Sequence, residues 1–311
     1  MMITTADKLN MVVLAFSLFS VLILLLIALS WYRKKRLSLF NKAVLLIVLA
    51  GMAAFADAYW IEPNWLQTEQ VMIHDPELAR VLEGIRVVQI SDIHLEGGIS
   101  YRERELIAKV NALKPDLLFI TGDFFSDKQK LELAVEVKAL TELIRSFKTT
   151  TGIFGVPGNY DRPLYNPEIM KEFRAAGIDI LSNTNRIVAL PNHKTLYLAG
   201  FDDSQNKRAN LQAFRGIPPG APVVLLAHDP DNFGEAIGAG VNLVLVGHTH
   251  GGQIGISFLI EKSKSANKSS FMRGLFDAGK TKMYVNRGIG TTHIPIRFFN
   301  RPEITLLAIS K

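Results

Sequence analysis

Apolar and polar positions divide the chain near residue 60. Before that point lie two long apolar runs. Residues 11–31 are broken only by serines, and residues 43–60 carry Gly51 and, near their end, Asp57. About 20 apolar residues cross a bilayer core as a helix. The first run therefore predicts a span over 11–31. It exceeds the roughly 7–15 residues of a signal-peptide core, and no small-x-small cleavage site follows it. The second run lies at the short end of spanning length and predicts a span over 43–60. A helix lying in the interface, or packed on the rest of the protein, is the competing reading. Arg33, Lys34, Lys35 and Arg36 separate the runs, a basic cluster expected on the cytoplasmic side. Two spans place everything after Trp60 outside, whereas one span leaves it in the cytoplasm. The expected division is a membrane anchor over 1–60 and a catalytic domain over 61–311.

Ile61-Glu62-Pro63-Asn64 is expected to break the second helix, because proline disfavours helical geometry in the residue before it. Beyond it the pattern changes to short apolar runs separated by amphipathic stretches. Residues 65–73 alternate as a strand. Buried strands are expected at 86–90, 117–121, 152–156, 196–199, 223–227 and 241–246, and closing strands at 283–286, 296–299 and 304–309. Helical spacing appears at 101–113 (Leu106, Ile107, Val110, Leu113), ended by Pro115, and again at 131–147 and 167–176. Early strands alternate with helices while the later half is mostly strands. This predicts an α/β fold of mixed sheets flanked by helices.

Composition changes this picture in two ways. The net charge is +6, but much of the excess is local, and no basic stripe with interleaved aromatics marks a nucleic-acid surface. There is no cysteine. Disulfides, thiolate metal sites and cysteine nucleophiles are therefore excluded, and any metal must be held by His, Asp, Glu, Asn or water.

Five expected strand ends carry metal-type side chains: Asp92 and His94, Asp123, Asn159, His228, then His248 and His250. Taken singly, each is an ordinary turn or cap. Together, strand ends that are neighbours in a sheet converge on one edge, where α/β sheets present their ligands. Four of the seven histidines fall in this set, while His74, His193 and His293 lie outside it.

Asp-x-His, Gly-Asp, Gly-Asn-x-Asp, His and Gly-His-x-His, in this order over residues 86–311, resemble the calcineurin-like metallophosphoesterase superfamily. The resemblance implies two β-sheets packed as a sandwich with helices outside, around two divalent metal ions. One ion would be bound by Asp92, His94, Asp123 and His250, the other by Asp123, Asn159, His228 and His248, with Asp123 bridging. Nitrogen and oxygen ligands without sulfur suit manganese, iron or zinc. Ile61-Glu62-Pro63, the Gly-His-Thr-His-Gly-Gly-Gln form, Arg287-Gly288-Ile289-Gly290 and Pro295-Ile296-Arg297 look like the membrane-anchored bacterial branch. That branch includes phosphodiesterases and a UDP-2,3-diacylglucosamine pyrophosphatase of lipid A synthesis.

The implied reaction is in-line attack on phosphorus by a metal-bound hydroxide, with Asp123, Asn159, Tyr160 and His248 in catalytic positions. Where the family usually carries His in its Gly-Asn-His-Asp motif, this chain has Tyr160. An unperturbed tyrosine, with a pKa near 10, is a poor proton donor at neutral pH. A phosphate or nucleotide leaves as a stable anion without a proton, so phosphoanhydrides or diesters with acidic leaving groups are the expected substrates. The alternative is that Tyr160 only packs beside the site. Asn159, Tyr160 and Arg297 are candidate substrate contacts, with a structural salt bridge the alternative for Arg297. Residues 261–282 hold several lysines and the apolar pairs Phe271-Met272 and Leu275-Phe276. They read either as a surface for anionic headgroups or a lipid substrate, or as a solvated loop with a helical tip.

The expected partners are the bilayer, at the bacterial inner membrane, and a lipid-linked or nucleotide-linked phosphate substrate. Pyrophosphate cleavage of a UDP-diacylglucosamine is the most specific expectation, and it requires a cytoplasmic active site. An outside domain instead favours a general phosphodiesterase or phospholipid headgroup hydrolase. A non-catalytic scaffold stabilised by metal is a third reading.

Overall fold

The computed structural model describes residues 5–126, 132–203, 210–256 and 270–311. The chain begins with two helices, α1 (Thr5–Lys34) and α2 (Leu39–Ala56). Both are long and apolar enough to cross a membrane. Leu18, Phe19 and Leu25 of α1 and Phe40 and Ile47 of α2 are exposed, and α2 buries none of its residues. A helix that is apolar all round calls for apolar surroundings on every side. The Ser38 hydroxyl caps α2 by accepting from Asn41 N at 3.2 Å. Asn41 Nδ2 in turn donates to Ser30 Oγ of α1 at 3.0 Å, tying the helices together beside the basic turn.

The helical segment ends at Asn64, inside the stretch expected to break it, but the residue before Pro63 stays helical. Past Ala56 the backbone widens into a π-helical turn, Asp57–Ile61, and then tightens into a 3-10 turn, Glu62–Asn64. Glu62 keeps helical angles (φ −62°, ψ −39°) despite the following proline. Two causes are visible. Pro63 falls in the first turn of the 3-10 segment, where its missing N–H is not needed, and the Glu62 carboxylate is held by the N–H groups of Phe299 and Asn300.

The remaining elements are β1 (Gln67–His74), α3 (Pro76–Val81), β2 (Val87–Ile90), α4 (Tyr101–Ala112), β3 (Leu117–Ile120), α5 (Leu133–Ser146), β4 (Gly152–Gly155), α6 (Pro167–Ala176), β5 (Ile178–Ile180), β6 (Thr184–Ala189), β7 (Thr195–Gly200), β8 (Val223–Leu226), α7 (Phe233–Gly238), β9 (Leu243–Val246), β10 (Gly274–Ala278), β11 (Thr281–Val285) and β12 (Glu303–Ser310). They build two six-stranded mixed sheets, ordered β1-β12-β2-β3-β4-β5 and β10-β11-β9-β8-β7-β6. In the first, β12 runs parallel to β1 and antiparallel to β2, and β2 to β5 are parallel. In the second, β11, β9, β8 and β7 are parallel, with antiparallel β10 and β6 at the edges.

Alternation along the strands sorts side chains between layers. Val87, Leu117, Phe119, Leu198, Leu226, Leu243 and Leu245 meet between the sheets. Val88, Ile90, Leu118 and Ile120 face the other way, against Leu106 and Val110 of α4 and Leu140 and Ile144 of α5. Leu225, Val244, Val246 and Met283 form the outer face of the second sheet, under Phe233 and Ala236 of α7. Helices thus cover both outer faces, and β2, β3, β8 and β9 are buried throughout.

Two expectations are corrected. Residues 296–299 form no strand, because the Arg297 guanidinium gathers this loop around itself, leaving one isolated bridge from Phe298 to Ile254. Residues 274–278 are strand β10 rather than a helical tip. Of the apolar pairs beside them, Met272 is buried and Phe271 packs on Phe233 and Phe276, at 5.6 and 4.9 Å between ring centres. The lysines of the same stretch that fall within 257–269 lie outside the described residues.

Candidate metal centre

The C-terminal ends of parallel strands from both sheets deliver the site. Asp92 and His94 follow β2, Asp123 follows β3, Asn159 and Tyr160 follow β4, His228 follows β8, and His248 and His250 follow β9. Main-chain bonds lash these ends together: Asp92 N to Gly122 O, His94 N to Asp123 O and Gly247 N to His228 O, at 2.9 to 3.1 Å. Across the sheets, His248 N donates to both Asp92 carboxylate oxygens, at 3.0 and 3.1 Å.

Asp92, His94, Asp123, His248 and His250 all have left-handed backbone, with φ between 41° and 70°. That region costs a non-glycine residue about 1–3 kcal/mol and persists only where its surroundings hold it. Glycine admits the close approach. A Cβ on Gly158 would strike Asp123 Oδ1 and N, and one on Gly247 would strike Ser91 Oγ and Asp92 Oδ2.

Two groups of donors result: Asp92, His94 and His250, and Asp123, His228 and His248. Within each, the ligand atoms lie within 4.8 Å of one another. Asp123 Oδ2 also joins the groups, lying 3.2 Å from His228 Nε2 and 3.5 Å from His94 Nε2. His94 Nε2 is 3.1 Å from His250 Nε2, and His228 Nε2 is 3.1 Å from both His248 Nδ1 and Asn159 Oδ1.

The donor set fits divalent cations. His94 Nδ1 faces the Phe125 carbonyl at 3.1 Å and His228 Nδ1 the Thr121 carbonyl at 2.8 Å. A carbonyl only accepts, so each Nδ1 carries the proton. In the neutral imidazole, each Nε2 then points a lone pair at carboxylate oxygens and other ring nitrogens. Such convergence of acceptors is repulsive unless a cation lies among them, and carbonyl-oriented histidines are the usual outer support of metal ligands. His250 differs in that its Nδ1 is buried and without a hydrogen-bond partner among the described residues.

The electrostatics match this crowding. Burial alone would raise the Asp123 carboxyl, but His228 and His94 hold it below the usual range. Burial lowers His228, yet Asp123, Asp92 and the Thr121 carbonyl hold its imidazole well above the ordinary value. His250 is driven well below it, by burial first and then by His94. Burial and His228 lower His248 in the same way.

Tyr160 sits on the rim, half-buried, with its ring 5.5 Å from that of His94 and its N–H donating to Asp123 Oδ1 at 3.0 Å. Arg297 does not stand there as a phosphate contact. Its side chain is fully buried and donates to the carbonyls of Arg287, Gly288, Gly290 and Asn300. With its donors directed at main chain, it enters no salt bridge among the described residues and points none of these bonds at the metal site. It fixes the 287–290 loop, from which Ile289 N and Gly290 N donate to the carbonyls of Ser91 and Asp92.

Sequence reasoning gave no role to Asp161, although it lies inside the Gly-Asn-x-Asp motif. Fully buried, it accepts from Gly158 N at 2.8 Å, Phe124 N at 2.8 Å and Phe125 N at 3.1 Å, clamping the loops after β3 and β4. Its carboxyl is pushed up to about 7, first by burial and then by Asp123. Asn300 was missed as well. It donates to the His250 carbonyl at 2.7 Å from a loop fifty residues away, and no local pattern marks it.

Paired mixed sheets whose strand ends gather two His/Asp donor groups define a metal-dependent hydrolase centre. The sequence pattern of the calcineurin-like phosphoesterases matches residues 85–252, and the chain belongs to that family. It is 28% identical to the uncharacterized metallophosphoesterase YkuE of Bacillus subtilis, covering 84% of this chain and 91% of that one. It is 26% identical to the phosphodiesterase YaeI of Escherichia coli, over 84% and 94%. It is 28% identical to the UDP-2,3-diacylglucosamine pyrophosphatase LpxG of Chlamydia muridarum, again over 84% and 94%.

Proposed function

We propose that this chain is a membrane-anchored, two-metal phosphohydrolase that cleaves a phosphoanhydride, or a phosphodiester with an acidic leaving group, in a lipid-linked substrate. Residues 1–60 are the anchor and 61–311 the catalytic domain. Asp92, His94, Asp123 and His250 hold one divalent ion, and Asp123, Asn159, His228 and His248 the other. Bound there, the pair supplies Lewis acidity and an activated water. The chain's own part is to converge these donors, to keep the histidines in the tautomer that ligates, and to present Asn159, His248 and Tyr160 at the rim. Tyr160 offers the leaving oxygen a hydrogen bond rather than a ready proton, which suits a leaving group that departs as an anion.

The observation that carries this reading is the position of Asp123 Oδ2 between His94 and His228, where one carboxylate can serve both ions. The relative named as a UDP-2,3-diacylglucosamine pyrophosphatase supports cleavage of a nucleotide-linked lipid, a reaction that requires the domain to face the cytoplasm, where UDP-sugars are found. A different observation favours an outside phosphodiesterase: α1 and α2 are both of spanning length, with the basic turn Arg33–Arg36 between them.

Two measurements test the proposal. Purified full-length protein with manganese(II) is assayed on a UDP-linked lipid and on an alkyl phosphodiester. Faster cleavage of the alkyl diester would sink the leaving-group argument. A reporter fused after Lys311 selects between the two substrate classes by placing the domain inside or outside.

A further inference from the structure

Where the helical segment after α2 meets the catalytic domain, a cavity of about 290 Å³ opens beside Trp65 and Phe299. Its polar lining includes Glu62, Arg287, Asp57 and Arg301. The first two are spent. The Glu62 carboxylate accepts from Phe299 N and Asn300 N. The Arg287 guanidinium pairs with Glu303 at 2.6 Å and Glu69 at 2.8 Å. The other two are not. Among the described residues, neither Asp57 nor Arg301 enters an ion pair, with each other or with any other group, although both face this cavity. Arg301 instead lies over the Trp65 ring, its guanidinium carbon 3.6 Å from the ring centre. Stacking of that kind fixes the plane of the guanidinium and leaves its N–H edge free for an anion.

The surroundings indicate where the ligand comes from. Trp60, Ile61, Trp65 and Phe299 are all more than half exposed, and Phe55, Tyr59 and Trp60 form one aromatic cluster at the end of α2, with ring centres 4.9 to 6.0 Å apart. Exposed aromatics directly after an apolar helix belong at headgroup depth. A cavity at that depth, lined by a cation and an anion that pair neither with each other nor with another group among the described residues, matches a molecule carrying both charges a short distance apart.

We propose that this cavity binds the headgroup of a zwitterionic phospholipid, its phosphate on Arg301 and its ammonium on Asp57. The inference rests on the membrane placement proposed above but not on the substrate. The site is separate from the metal centre. It shares with that centre the 287 and 297–300 loops, so an occupied cavity would hold the catalytic domain at a set height above the bilayer.

The test uses delipidated full-length protein in detergent, titrated with dioleoylphosphatidylethanolamine and followed by native mass spectrometry. One lipid is expected to be retained, with affinity falling about 10-fold or more in R301Q and in D57N, as for loss of a hydrogen bond to a charged group. Dioleoylphosphatidic acid, which lacks the ammonium, is expected to bind more weakly and to be indifferent to D57N. Manganese(II) uptake equal to wild type reports that the variants are folded. Should R301Q fail that control, R301K, which keeps the charge but not the flat fork, is expected to lose affinity as well. Wild-type retention in the folded variants would overturn the site. Displacement of the lipid by millimolar inorganic phosphate would overturn the lipid as its ligand. Membrane placement is read separately, by alkaline extraction of membranes, so either claim can fail alone.

Discussion

Asn300 and His250 are joined by one hydrogen bond, from the Asn300 side-chain amide to the His250 carbonyl at 2.7 Å, with both residues buried. The Asn300 main-chain N–H is bound in turn by the Glu62 carboxylate. Two hydrogen bonds therefore separate the end of the apolar helical segment from a candidate metal ligand. Glu62→Ala strands the N–H groups of Phe299 and Asn300 and is expected to lower stability by about 1–3 kcal/mol. It should also weaken manganese(II) binding, measured by spectroscopic titration. Unchanged affinity in a folded variant would show that the two ends are uncoupled.

Asp123→Asn is expected to remove hydrolysis while leaving the fold intact. Loss of an outer partner of a metal ligand costs roughly 10–100-fold in activity or affinity, and a carboxylate shared by both donor groups should cost more. Steady-state rates beside circular dichroism separate this from unfolding. A variant that is folded and still active would remove Asp123 from the bridging position.

Tyr160→Phe should affect phosphoanhydride cleavage little, because the departing anion needs no proton. Tyr160→His should raise cleavage of an alkyl phosphodiester. A positioned general acid is worth about 10²–10⁴-fold, so even a poorly placed imidazole should be visible in kcat/KM. Equal responses of the two substrates would show that residue 160 does not touch the leaving group.

Metal-free protein should lose stability as pH rises above about 6.5. Folded Asp161 holds its proton up to about 7, whereas the unfolded side chain releases it near 4, so the folded state binds the extra proton between those limits. His228, raised well above its ordinary value, adds stability that is full below about 6.5 and is lost as pH passes its folded pKa. The lowered Asp123 acts in the opposite sense below about 4, and the lowered His248 and His250 do so below about 6.5, so the loss is read above that pH. Saturating manganese(II) should reverse the trend, because ligands bind metal only when deprotonated. Urea titrations at pH 6.5 and 8.5, with and without metal, check both signs.

Two glycines separate space at the site from helix propensity. Gly158→Ala places a methyl on Asp123 Oδ1 and should abolish metal binding, while Gly234→Ala in α7 meets open space. The second change should be neutral or stabilising by up to about 1 kcal/mol. Thermal melts and metal titrations of the pair measure both effects.

What the sequence made legible follows from locality. β2, β3, β8 and β9 are runs of four buried residues, and every candidate ligand except Asn159, which follows the half-buried β4, stands within a few residues of such a run, so apolar pattern and motif agreed. β6 escaped notice because its pattern is irregular, with Ile187 exposed on an outer strand. β5 has only three residues. The strand expected at 296–299 failed for a different reason. Pattern suits apolar faces, and this loop is shaped instead by one buried guanidinium serving four carbonyls. Asp161, Asn300 and Glu62 act on partners far along the chain, so neither spacing nor composition could pair them.

The pairing of β1 with β12 sets an order on how the molecule is made. β1 is joined to the apolar helices by a few residues, yet its eight-residue ladder is with Glu303–Ser310. During synthesis, α2 and β1 leave the ribosome long before β12 exists. Through that interval β1 has no ladder partner, and unpaired strands are where chains aggregate. Contacts so distant in sequence also make folding slow. The joint between Glu62 and the 299–300 loop and the ladder between β1 and β12 therefore close together, late in translation. The joint to the apolar helices and the last wall of the metal centre are completed in one event, so a nascent chain that stalls before residue 299 would carry both helices but could not yet brace His250.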